Sequence, residues 1–123
     1  MNLKLASRLR QRIVALCAER KNLETRLLRR RRMLRASLIE RYLGAAGHRR
    51  KTPAYYLSFL HQGKRGLKYV KQHDLLRIEP RTKAWGEYYH LVADWVKLSQ
   101  QLEKTWRALG QAQADKLEAG DNG

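Results

Sequence analysis

Apolar residues in the first third of the chain step alternately by three and four. Leu9, Ile13, Leu16, Leu23, Leu27 and Leu34 hold one phase once Arg20 and Arg30 fill the two missing positions. Such spacing gathers side chains on one stripe of a helix and predicts an α-helix over residues 3–34. Neither Gly nor Pro interrupts the chain between Met1 and Gly44. Arginine at two seam positions is a defect for a strict coiled coil, although its stem can cover apolar surface while its head reaches water.

A second stripe runs through Trp85, Tyr88, Val92, Trp95, Ser99, Leu102, Trp106 and Leu109. It predicts a helix over residues 80–112, with Pro80 in the first turn, where its missing N–H costs nothing. Each stripe is about 30 residues, or roughly 45 Å, long. Matched seams joined by short connections argue for an antiparallel pair. The three tryptophans read as packing on that seam.

Between the stripes the period drops to two. In Ala54–His61, Tyr55, Leu57 and Phe59 share one face, and Tyr56, Ser58 and Leu60 the other. Gly66–Gln72 alternates in the same way. The connection Gln62-Gly63-Lys64-Arg65 reads as a hairpin loop, placing Lys64 and Arg65 at its tip. Ser37–Leu43 fits a helix or a strand; a strand is the choice that completes a sheet with the other two runs. Gly44–Gly47 and the basic loop His48–Pro53 separate it from them. His73–Glu79 reads as a connector with Leu75, Leu76 and Ile78 available for a core. The predicted fold is therefore α+β and mostly α: two long antiparallel helices, a coiled-coil-like hairpin, with a small two- to three-stranded antiparallel sheet inserted between them. Residues 1–112 read as one domain and 113–123 as an acidic, disordered tail.

Charge adds the partner. The chain carries 27 Lys and Arg against 11 Asp and Glu, a net charge of +16. Met1–Arg35 holds 12 basic and 2 acidic residues, Ala36–Glu79 holds 9 and 3, and Pro80–Gly123 holds 6 and 6. The excess sits on the first two segments, so a polyanion-binding surface is expected there. Nucleic acid is the first candidate partner. The expected contacts are Arg8, Arg12, Arg26, Arg29, Arg31 and Arg32 of the first helix, Arg49, Arg50 and Lys51 of the loop, and Lys64, Arg65 and Lys68 of the hairpin. Tyr55 or, preferably, Tyr56 is expected to stack on an unpaired base. Physical chemistry alone leaves DNA and RNA level.

Catalytic chemistry is hard to assemble. His48, His61, His73 and His90 fall in different elements without metal-ligand spacing. Glu40, Asp74 and Glu79 are the acids near the sheet, too few for a two-metal site. No Gly-rich phosphate loop is present. The single cysteine, Cys17, excludes an internal disulfide and a Cys-rich zinc site, and reads as a small core residue. The expectation is a non-enzymatic protein with no cofactor, metal or small-molecule substrate, in a reducing, cytoplasmic setting. No apolar run approaches the roughly 18 residues of a membrane span. Acid-free residues 1–18, with Lys4, Arg8, Arg10 and Arg12, have the look of a mitochondrial presequence, but the heptad phase runs on past them to Leu34 without a break. A second copy or a protein partner is the other expected contact, through the coiled-coil surface and the seam arginines. Binding of the first helix to a membrane surface is the third possibility, opposed by the match between its stripe and the second one.

Leu38-Ile39-Glu40-Arg41-Tyr42, a Gly and basic loop, Pro53-Ala54-Tyr55-Tyr56-Leu57-Ser58, Gly63-Lys64, Lys68-Tyr69-Val70 and a long final helix together form a pattern. It resembles an uncharacterised family of small basic prokaryotic proteins, a domain of unknown function often encoded near transposases and other mobile-element genes. The resemblance covers roughly residues 37–109 and its motifs are short. It implies a setting of mobile elements and nucleic acid, and it tips the expectation toward DNA; it implies no mechanism. The family pattern has several cysteines in the loop after the ERY-like stretch. Gly44–Thr52 has none here, so a metal knuckle does not carry over to this chain.

Overall fold

The computed structural model describes residues 1–42, 44, 52–115 and 117. It contains two helices and a three-stranded antiparallel sheet: α1 (Leu3–Leu27), β1 (Ser37–Arg41), β2 (Ala54–His61), β3 (Lys64–Val70) and α2 (Gln72–Gln113). The fold is α+β and mostly α, as the periodicities predict. The chain forms two compact units, one of Met1–Arg29 with the chain from Leu91 onward, the other of Arg30–His90.

The first unit is an antiparallel helix pair. Ala6, Ile13 and Leu16 of α1 bury against Leu98, Leu102, Leu109 and Ala112 of α2, and Leu9, Cys17 and Leu23 pack around them. Asn2 ties the start of α1 to the end of α2. Its side-chain Oδ1 accepts the Leu5 N–H at 3.0 Å, capping the helix, while its own N–H donates to the Ala112 carbonyl at 2.8 Å. Arg10 donates to the Gln113 side chain beside it. Arg20 lies 4.0 Å from Glu24 one turn on, so this seam arginine finds its countercharge within α1.

Three expectations need correction here. The first helix ends at Leu27, not at residue 34. Arg29–Arg32 would add four mutually repelling charges and no apolar face to a further turn. In extended form the chain instead lets the Leu34 N–H reach the Arg81 carbonyl at 3.0 Å and buries Ala36. The second helix begins at Gln72, not at residue 80, so Pro80 is interior. The extra turns put Leu75 and Ile78 into a core, and Asp74 sits in the first turn, where a carboxylate suits the helix dipole. That burial outweighs the hydrogen bond Pro80 removes. Finally, the seam of α2 runs through Leu91, Leu98, Leu102, Leu109 and Ala112, leaving Trp106 56% exposed and Val92 37% exposed. Leu102 and Leu109 are buried as expected, but the alternate positions shift back by one residue, about 100° around the helix, from Val92 and Ser99 to Leu91 and Leu98. The pair closes on the side that offers Leu91, Leu98 and Ala112 beside the shared leucines, and Ala112 joins Ala6 in the buried cluster.

The second unit carries the sheet, in the order β1-β2-β3. Ser37–Arg41 is a strand, paired Ser37 to Ser58 through Arg41 to Ala54. The hairpin turn is shorter than expected. Gln62 (φ 51°) and Gly63 (φ 79°) are both left-handed, the two-residue reversal whose twist matches the flanking strands. Lys64 and Arg65 therefore begin β3, opposite His61 and Leu60, instead of forming the tip. β3 closes at Val70, and Gln72 already belongs to α2.

Facing strand residues share a side of the sheet. On one side Leu38, Tyr55, Leu57, Phe59 and Val70 pack with Leu34, Ala36, Leu75 and Ile78 to form the core of this unit. Gly66 faces Phe59, and a Cβ at residue 66 would lie 2.7 Å from the ring, so the phenyl group occupies the space a side chain would need. Of the expected tail, Gln113 ends α2, Ala114, Asp115 and Leu117 are described, and the rest lies outside the described residues.

Candidate nucleic-acid interface

The side of the sheet away from the core is built from alternate residues of all three strands. One row across it is Ile39, Tyr56 and Tyr69; the next is Ser37, Ser58 and Leu67; Leu60 and Arg65 follow. The Tyr56 and Tyr69 rings meet edge to face with centroids 5.7 Å apart. The Arg41 guanidinium lies 5.6 Å over the Tyr56 ring. Tyr69 is 58% exposed and Leu67 49%. A core would have claimed these rings. Left at the surface, they offer flat apolar faces with a cation beside them, the chemistry that holds an unpaired base.

Toward the hairpin end this face opens into a cleft of about 370 Å³, lined by Ser37, Ile39, Ser58, Leu60 and Arg65 from the sheet and by Trp85 and Tyr89 from α2. Trp85 stacks on Tyr88 at 6.4 Å and meets Tyr89 at 6.4 Å. Arg35 lies 5.9 Å over the Trp85 ring and lines the cleft as well. A second cleft, of about 500 Å³, shares Arg35, Ala36, Phe59 and Leu60 with the first and adds Lys68, Arg77 and Arg81.

The sequence-predicted residues separate as follows. Arg8, Arg12, Arg26 and Arg29 are exposed in the helix-pair unit. Arg8 and Arg12 are one turn apart on α1, and Arg26 recurs at the same azimuth about five turns further on. Arg29 lies just past the end of α1, and Arg31 and Arg32 lie in the extended segment beyond it, so the last three belong to no helical flank. Tyr56 and Arg65 share the open sheet face, and Lys64 and Lys68 the opposite one, where Lys68 faces Leu57 yet stays exposed on the edge strand. Tyr55 packs into the core and is not available for stacking. Arg49, Arg50 and Lys51 lie outside the described residues.

Sequence reasoning missed Arg35, Arg41, Tyr69, Trp85 and Tyr89. Tyr69 was reachable, since a two-residue turn at Gln62-Gly63 makes it the cross-strand partner of Tyr56. Trp85 was assigned to packing on the helix seam, and Tyr89 lies off that seam with no pattern of its own to mark it. Among the described residues no group of His, Cys, Asp or Glu is arranged to hold a metal ion, and no helix is long and apolar enough to cross a membrane. Compared with protein-family models, curated proteins and solved structures, the chain matches none.

Proposed function

We propose that this is a non-enzymatic nucleic-acid-binding accessory protein that holds an unpaired stretch of a strand on the open face of its sheet. The observation that carries the reading is the Tyr56–Tyr69 pair, Tyr69 exposed and Tyr56 half-buried with Arg41 over its ring, on a face that leads past Arg65 to Trp85 and Tyr89. Arg8, Arg12 and Arg26 on α1 supply phosphate contacts independent of sequence. DNA is favoured over RNA, and service to a mobile genetic element is proposed, both on the resemblance of residues 37–109 to the mobile-element-associated family. No hydrolytic or transfer step is assigned to any residue.

Replacing both tyrosines, Tyr56→Ala with Tyr69→Ala, tests it. Stacking contributes about 1–3 kcal/mol per base, so affinity for a single-stranded oligonucleotide falls about 5- to 150-fold, while affinity for duplex DNA changes little. Unchanged single-strand affinity in a folded double variant overturns the sheet-face reading.

A second reading, a protein-interaction subunit of a larger nucleoprotein machine, draws support from Val96 and Trp106, which stand 42% and 56% exposed with Val92 on one outward stripe of α2. That stripe suits a further helix, from a partner or a second copy. Light scattering that finds only monomer at high concentration removes the second copy.

A further inference from the structure

Four cations with no carboxylate among them line the second cleft: Arg35, Lys68, Arg77 and Arg81. Arg77 is bridged to Asp74 at 3.3 Å. Arg35 lies over Trp85, and neither it, Lys68 nor Arg81 is ion-paired to an acid among the described residues. Arg77 and Arg81 are one turn apart on α2, a like-charge pair that works against the helix. Packing does not require either charge, since Leu75 and Ile78 supply the apolar contacts of these turns. The floor of the cleft is apolar, with Leu57, Phe59 and Ile78 among its lining residues. The Leu34 N–H donates to the Arg81 carbonyl at 3.0 Å, strapping the 33–36 segment to the helix and closing one side.

We propose that this cleft binds the phosphomonoester of a nucleotide. With one of its four positive charges met by Asp74, the cleft carries about three. A phosphomonoester carries about 1.5 to 2 negative charges and three free oxygens, against one charge and two free oxygens on a diester inside a strand. The volume suits one nucleotide, not a duplex. A closed side favours a group that enters by its end over one that passes through. Arg35 and Phe59 also line the first cleft, so a phosphate here leaves its base beside Trp85 and Tyr89. The phosphomonoester belongs either to the terminus of a strand lying on the sheet, which rests on the reading above, or to a free nucleotide, which does not.

The test uses the full-length protein and fluorescence anisotropy. One single-stranded oligonucleotide is compared in unphosphorylated, 5′-phosphorylated and 3′-phosphorylated forms, with a nucleoside monophosphate and inorganic phosphate in separate arms. A strand-end site gives about tenfold tighter binding of one phosphorylated form. Arg81→Gln and Lys68→Ala each abolish that preference and leave unphosphorylated binding within about twofold. A free-nucleotide site gives no end preference but a saturable monophosphate signal that Arg81→Gln removes. If the strand binds equally well with and without its phosphate and the monophosphate does not bind, the cleft proposal is overturned while the sheet reading stands. If no strand binds but the monophosphate does, the sheet reading fails and the cleft survives. Arg81 is half-buried, so melting curves accompany each variant, and Lys68→Ala, on an exposed edge position, keeps the test valid if Arg81→Gln unfolds.

Discussion

Lys64 and Arg65 are neighbours in sequence, both exposed, and carry the same charge, yet they stand on opposite sides of the sheet. Removing either lowers the net charge by one, so any electrostatic effect of the whole molecule is the same for both. Only Arg65 shares a face with Tyr56 and Tyr69 and lines the cleft with Trp85 and Tyr89. A strand on that face gives Arg65 a phosphate and leaves Lys64 without one. For a single strand each phosphate contact contributes about 0.7 to the slope of log K against log salt. Arg65→Ala is therefore expected to flatten the slope by about 0.7, and Lys64→Ala to leave it unchanged. Between 50 and 200 mM salt one contact is worth about a 2.5-fold change in affinity. An exposed charge-assisted contact adds about 1 kcal/mol, or roughly fivefold, at fixed salt. Neither side chain is in the core, so stability should move by no more than about 0.5 kcal/mol. Anisotropy titrations of a labelled oligothymidylate at four salt concentrations separate the two variants. Equal losses of affinity and slope would refute the argument, because they would mean that charge acts without regard to the face it stands on.

Two further predictions concern the fold. Ser99 Oγ is buried and has no hydrogen-bond partner among the described residues. Ser99→Ala removes an unsatisfied hydroxyl and adds a better helix former, so it should stabilise the protein by about 1 kcal/mol and raise the melting midpoint by about 2–6 °C; a lowered midpoint would show that the hydroxyl has a partner. At the hairpin turn Gln62 holds φ 51°, a region Asn tolerates better than Gln. Gln62→Asn should add about 0.5 kcal/mol in a thermal melt, and a loss would mean that the glutamine side chain supports the turn.

The strands were legible because a period of two, with β-branched and aromatic residues on both faces, admits few other structures. Ser37–Arg41 needed more than its own pattern, since Leu38, Ile39 and Tyr42 fit a helix equally well; pairing with residues 54–58 decides it. The helix ends were not legible, for two opposite reasons. Arg29–Arg32 are good helix formers one at a time, and their failure as a group depends on where Leu34 and Ala36 are needed. Pro80 is a poor helix former, and its tolerance depends on Leu75 and Ile78 having a sheet to cover. The seam of α2 differs from the expectation at Trp106, which stands 56% exposed, because Leu91 and Leu98 in the neighbouring phase take the buried positions and an aromatic of large size has no prior claim on them. As for the site, alternation set Tyr56 apart from Tyr55, but Arg65 was expected at the hairpin tip, and only the two-residue turn places it on the same face as Tyr56. Arg35, Trp85 and Tyr89 gather only once the chain before β1 and the helix after β3 flank the same sheet.

The phenyl ring of Phe59 filling the place of a side chain at Gly66 ties two positions into a single evolutionary choice. A chain with a large ring at 59 favours a bare backbone at 66, since a Cβ there would push the ring aside. A chain with a small residue at 59 is free to carry a side chain at 66 and has lost the ring that borders both clefts. Related sequences should thus fall into two sets, and the residue at 66, which touches no partner itself, would reveal which of them still possess the paired clefts.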